Sequence, residues 1–128
     1  TWLVLLGVPL VAAGITATQL GGPAWVELLA AWVLVLGGWG VAWEHLVLAV
    51  QERRVHRLAR ALWLVAGISL GLGMLLAGLY ASRMFLPAMG WLDIPWMRAL
   101  HGTLNAMGFS LLALLGWCRA GRACCSGK

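Results

Sequence analysis

Residues 59–82 read ARALWLVAGISLGLGMLLAGLYAS. Apart from Arg60 near its start the stretch carries no charge, and as one helix it is long enough to cross the ~30 Å hydrocarbon core of a bilayer. Working outward, three more apolar stretches of similar length flank it: 1–20 and 24–50 before it, 94–118 after it. Gly21, Gly22 and Pro23 separate the first two, and the basic connector 51–58 separates the second from the third. The run 1–20 is too long for a signal-peptide core and reads as a span. Pro9 within it is tolerable, because neighbouring helices can satisfy the freed carbonyl.

Composition agrees with this reading. The chain has 128 residues, 62% of them hydrophobic and 10% charged, with a mean hydropathy of +0.91. A soluble domain is ~45–50% apolar and ~25% charged. This chain could not cover itself with a solvated surface, so lipid must be part of its solvent. An all-α integral membrane protein follows, a single domain built as a four-transmembrane-helix bundle.

The net charge of +5 is distributed as a topology signal and gives no reason to expect a nucleic-acid partner. Seven of the nine basic residues sit in two places: Arg53, Arg54, Arg57 and Arg60 around the connector, and Arg119, Arg122 and Lys128 in the tail. Only Arg83 and Arg98 fall on the other side. Basic clusters flanking spans mark the cytoplasmic face and contact anionic lipid. Both termini are therefore expected in the cytoplasm of a bacterial-type inner membrane, which requires an even number of spans. Cys118, Cys124 and Cys125 fall at the same end, where thiols are normally reduced. No C-x2-C spacing is present, and no metal site is expected.

The connector 83–93 is apolar through Met84, Phe85, Leu86 and Trp91 and is expected at the interface, with Trp91 and Trp96 in an aromatic belt. Asp93 before Ile94 and Pro95 reads as a helix start, since a carboxylate accepts orphan amides there and proline suits the first turn.

Between helices in lipid, association must come from close packing and polar contacts. Gly67 and Gly71 form a G-x-x-x-G and are expected at a helix–helix interface. Trp25, Trp32 and Trp39 recur every seven residues, Trp43 adds a further turn, and the stripe is expected to face lipid or another subunit.

Intramembrane polar residues mark candidate sites, because each is unfavourable unless paired. His101 and Asn105 are four residues apart and share one helix face. Gly102 and Gly108 beside them would admit another helix or a flat ligand. The pair either fixes helix packing or binds a ligand. Glu44 and His45 form a second polar site, with Glu44 expected to reach Arg53, Arg57 or Arg60. Glu27 is expected to be interfacial, and His56 solvated. Counting residues from the span centres separates His45 from His101 by ~20 Å along the normal, too far to share one iron. No G-x-S-x-G, H-E-x-x-H or P-loop is present, so no catalytic residue is assigned and a non-enzymatic role is expected. No repeat or paired broken helix of the transporter kind is visible.

Residues 92–117 read LDIPWMRALHGTLNAMGFSLLALLGW. This run resembles the carboxy-terminal region of YndJ-like membrane proteins, in which M-x-x-x-H-G-x-x-N-A-x-G-F is followed by G-W. The motif positions here are Met97, His101, Gly102, Asn105, Gly108, Phe109, Gly116 and Trp117. The likeness covers the fourth span and extends toward the third, including Tyr80, while the first two spans carry only a hydrophobic likeness. It sharpens the site more than the function.

Two functions follow as expectations. The first is an accessory or structural subunit of a larger membrane assembly, with the bilayer and other membrane subunits as partners. The alternative is a lipid-soluble ligand or cofactor (quinone, haem, chlorophyll-type pigment or isoprenoid) at the His101/Asn105 face, with electron transfer in view. The cofactor, if any, stays open.

Overall fold

A computed structural model describes residues 2–83, 85–86 and 91–125, and side chains as far as residue 121. Met84 of the apolar connector lies outside the described residues, as do the side chains of Arg122, Cys124, Cys125 and Lys128. Four helices are long and apolar enough to span a membrane. They are α1 (Trp2–Gln19), α2 (Ala24–Gln51), α3 (Arg57–Ser82) and α4, which runs continuously through Ile94–Thr103, Leu104–Leu111 and Leu112–Cys125. The middle piece of α4 is π-helical.

Local chemistry sets the ends. Gly21 takes φ +88°, a left-handed geometry that L side chains resist, and Gly22 N–H returns to the Ala17 carbonyl at 2.8 Å. This closes α1 and turns the chain into α2. The start of α3 is two residues earlier than the apolar run suggests. His56 caps it, its Nδ1 accepting the Leu58 amide at 3.2 Å, so this exposed histidine has a structural task. At the head of α4, Asp93 Oδ1 accepts the Trp96 amide at 3.1 Å, with Pro95 in the first turn.

The helices form an antiparallel row. Among the described residues, Cα atoms approach within 8 Å only between α1 and α2, α2 and α3, and α3 and α4. The backbones therefore form a row with α1 and α4 as its two edges, bent enough for side chains of α2 to reach α4. Small residues set each spacing. A Cβ on Gly7 would lie 2.8 Å from the Leu34 Cα, and one on Gly67 would lie 2.9 Å from the Ala42 carbonyl oxygen. Such contacts replace the hydrophobic drive that lipid removes.

Ala49, Ala59, Trp63 and Ala120 form a buried cluster, with Leu48 and Val55 against it. This places the basic connector and the last turns of α4 at the same end of the molecule. Arg60 is tied there through Nε, which donates to the Ala49 carbonyl at 2.7 Å.

Candidate functional site

The site is assembled on the seam between α3 and α4. Gly73, Ser69 and Trp63 descend one face of α3, and Asn105, Gly108 and Gly116 descend α4 against them in the same order. At the top, His101 Nδ1 lies 2.8 Å from the Gly73 carbonyl oxygen, and His101 Nε2 lies 2.8 Å from Asn105 Nδ2. The carbonyl can only accept, so Nδ1 carries the proton and donates to it. Nε2 is then the lone-pair nitrogen and accepts from the Asn105 amide. Any other tautomer would set two lone pairs face to face. The imidazole thus uses both nitrogens, one within its own helix and one across the seam.

The Asn105 carbonyl oxygen, Oδ1, is buried without a hydrogen-bond partner. It points at Gly73, where an added Cβ would lie only 2.8 Å away. The glycine is what lets α4 bring the amide in. Below it, α4 widens. Over Leu104–Leu111 the turns are π-helical, and Ser110 Oγ donates to the backbone carbonyl of Asn105, five residues back, at 2.9 Å. Nothing in the apolar pattern signals this wide turn. Such segments occur frequently at functional sites.

Gly108 sits inside the wide turn against buried Ser69, and a Cβ there would meet Ser69 Oγ at 2.6 Å. Gly102 behaves differently. It is exposed, and a Cβ on it would have nothing within 4 Å. Of the two glycines flanking the polar pair, only Gly108 admits a neighbouring helix of this chain.

His45 donates through Nδ1 to the Val41 carbonyl at 2.9 Å, and its ring meets Phe109 edge-on, centroids 5.2 Å apart. Phe109 stands eight residues after His101, so His45 and His101 differ in depth by about 12 Å at 1.5 Å per residue. This is closer than counting from span centres gives, because the depth of His45 is set by its contact with Phe109 on α4 and not by its place within its own span. It is still too far for both to bind one metal. Glu44 is exposed on α2. Arg60, expected within its reach, is held by Ala49 instead. Among the described residues, no three His, Cys, Asp or Glu side chains cluster as ligands.

The tryptophan stripe splits. Trp25 and Trp43 are exposed. Trp32 instead turns inward, its Nε1 donating to Ser82 Oγ at 3.3 Å while its ring covers Gly78. Trp39 Nε1 donates to the Gly71 carbonyl at 3.1 Å, and the Trp32 and Trp39 rings meet edge-on at 6.4 Å. Half of the stripe thus holds α2 to α3. The glycine pair splits too. Gly67 packs on Ala42, but a Cβ on Gly71 would meet nothing within 4 Å. A glycine spacing reports which residues share a face, and leaves open whether a helix covers both.

One feature at the other end of the row escaped the sequence reading. Thr18, Glu27, Tyr80, Arg83 and Phe85 line a cavity of about 130 Å³, with the Arg83 guanidinium 3.7 Å from the Tyr80 ring centroid. Its residues are scattered over three helices and the connector after α3, so no motif announces it.

A family model described as YndJ-like protein matches residues 1–109. The chain belongs to the YndJ-like family. The match takes in α1, α2 and α3 entire, where the sequence likeness gave the first two spans only a hydrophobic resemblance. It ends at Phe109, so it includes His101, Asn105 and Gly108 and stops short of Gly116 and Trp117. No curated protein and no solved structure matches the chain. The YndJ-like identity thus covers the upper half of the α3–α4 seam. The contact of Gly116 with Trp63, and the tilted Trp63–Trp117 pair at 4.9 Å, lie beyond it.

Proposed function

We propose that this YndJ-like chain is a non-enzymatic subunit that packs into a larger assembly in a bacterial-type inner membrane, both termini cytoplasmic. The open row carries this reading. The α1 backbone approaches α2 alone and the α4 backbone α3 alone, with α2 reaching α4 only through side chains such as His45 against Phe109, so the outer flanks of α1 and α4, with Leu5, Leu6, Met107 and Leu114 exposed, stay uncovered. Gly102, open on α4, offers a further helix the close approach that association in lipid needs. His101 and Asn105 act within this scheme as a lock that keeps α4 at a fixed depth on α3. Orientation rests on the basic residues gathered at one end of the row.

A second reading has one observation in its favour. Asn105 Oδ1 is a buried acceptor without a donor, in a π-helical turn. A hydroxyl of a lipid-soluble ligand would satisfy it. An axial haem ligand fits less well, because both nitrogens of His101 are engaged and Asn105 would have to leave Nε2.

Gentle purification from native membranes tests both. A particle with a second membrane polypeptide in fixed stoichiometry, and no stoichiometric chromophore or isoprenoid in its extract, is expected. A single-chain particle whose extract holds one such ligand, lost in Asn105→Ala, would overturn the subunit reading in favour of the second.

A further inference from the structure

On the side of α3 turned away from α4, α2 and α3 leave a groove open along their seam. Trp39 and Trp43 wall it on one side and Ile68 on the other, over a floor of Ala42, Gly67 and Gly71, enclosing about 360 Å³. Toward the connector a second hollow of about 270 Å³ continues it between Val50 and Leu64, ending at Arg57 and Arg60. The two hollows belong to one track. On α3, residues 57, 61, 64, 68 and 71 follow steps of four and three, and on α2 residues 39, 43, 46 and 50 do the same. Each set is one helical stripe. At ~100° per residue the α3 stripe points about 180° from Trp63, Ser69 and Gly73, which face α4.

The dimensions and charge of the track select an occupant. From Arg60 to Gly71 is eleven residues, about 16 Å, which is half of the ~30 Å hydrocarbon thickness and therefore one leaflet. The deep end is apolar. The shallow end carries Arg57 and Arg60 beside Arg53 and Arg54, against the one carboxylate of Glu52 in the connector. The Nε bond to the Ala49 carbonyl fixes the Arg60 guanidinium at the mouth of the groove, and the four N–H groups on its terminal nitrogens lie beyond that bond. Guanidinium groups bind phosphate oxygens in bidentate fashion.

We propose that this groove is an anionic-phospholipid site, with one acyl chain lying along the α2–α3 seam and the phosphate held by Arg57 and Arg60. Gly71 gives the chain its bed, since no side chain of the protein fills the space above it. The proposal is independent of the subunit reading, because the groove lies on neither edge helix.

The test uses the full chain in mild detergent, delipidated and titrated with phosphatidylglycerol, phosphatidylcholine or inorganic phosphate, and read by native mass spectrometry and melting temperature. One phosphatidylglycerol per chain is expected to remain bound and to raise the melting temperature, with phosphatidylcholine about tenfold weaker and inorganic phosphate without effect. Gly71→Leu fills the groove and leaves the arginines intact, while Arg57→Gln leaves the groove intact. Each is expected to abolish the difference between the lipids, whereas Arg53→Gln is expected to retain it. Melting curves without lipid show that each variant is folded. Equal binding of the two lipids would overturn the proposal. So would phosphatidylglycerol binding unchanged in Gly71→Leu, which would mean surface charge alone, or a doubled mass abolished by Gly71→Leu, which would mean a second copy in the groove.

Discussion

His101 on α4 donates through Nδ1 to the Gly73 carbonyl on α3 at 2.8 Å, so the contact uses a backbone acceptor that no substitution at residue 73 can remove. The strength of the seam at this depth therefore depends on residue 101. Hydrogen bonds between membrane helices contribute about 0.6 kcal/mol on average and up to about 1.7 kcal/mol. His101→Ala is expected to lower stability by about 1–2 kcal/mol, because it also strands the Asn105 amide. Unfolding in mixed detergent micelles, followed by circular dichroism, measures this. A wild-type midpoint would refute the lock.

The two glycines of the His-Gly-x-x-Asn run should respond in opposite ways. Gly108→Ala drives a methyl to 2.6 Å from Ser69 Oγ and is expected to destabilise by about 1–3 kcal/mol, the usual range for overpacking. Gly102→Ala meets open space, and is expected to be neutral or to stabilise by up to about 1 kcal/mol through helix propensity. The same micelle assay ranks them. Ser69→Gly in the Gly108→Ala background removes both atoms in the way, so the double variant should recover part of the loss, a coupling that independent sites would not show.

Gly116→Ala is expected to be more damaging than Gly108→Ala. Its Cβ would lie 2.6 Å from Trp63 Cδ1 and 2.7 Å from Nε1, so a whole buried indole must shift, whereas at Gly108 the clash is with the two side-chain atoms of Ser69 alone. Thermal melts of the two variants side by side decide the order. Equal midpoints would mean that the foot of α4 swings away from α3.

The basic connector and the end of α4 should label together. Ala49, Ala59 and Ala120 share one buried cluster, which fixes the two segments at one end of the row. In a background with serine at residues 118, 124 and 125, single cysteines introduced as Arg54→Cys and Arg119→Cys are expected to resist a membrane-impermeant maleimide in intact cells. Both should react after lysis, and Leu20→Cys, at an exposed position in the turn between α1 and α2, should react from outside. Opposite behaviour of the first two would break the antiparallel order.

The polar pair was legible because histidine and asparagine are conspicuous in a hydrocarbon-facing stretch, and spacing of four residues is enough to put them on one face. Its partner was not legible. Gly73 contributes a backbone carbonyl, a group every residue has, so only the approach of α3 could single it out. The same limit explains Gly71 and the tryptophans. Spacing shows that Gly67 and Gly71 align, and that Trp32 and Trp39 align with Trp25 and Trp43, yet the helix crossing covers one member of the glycine pair and draws two of the four indoles into hydrogen bonds with α3, Trp32 turned inward and Trp39 still exposed.

By itself, the sequence determined that the chain is helical, that it lives in lipid, and where its spans begin to within two residues, because transfer of apolar surface and satisfaction of backbone polar groups are local properties of each segment. The fourth helix, however, runs on to Cys125, past the end of its apolar stretch at 118. Tertiary structure alone decided that the helices stand in an open row, that α4 loosens into a π-helical turn at Asn105, and that Gly108 is covered while Gly102 is bare. These depend on which face each helix turns to its neighbour. In lipid that choice follows from the shapes of both surfaces together, which neither stretch of residues contains alone.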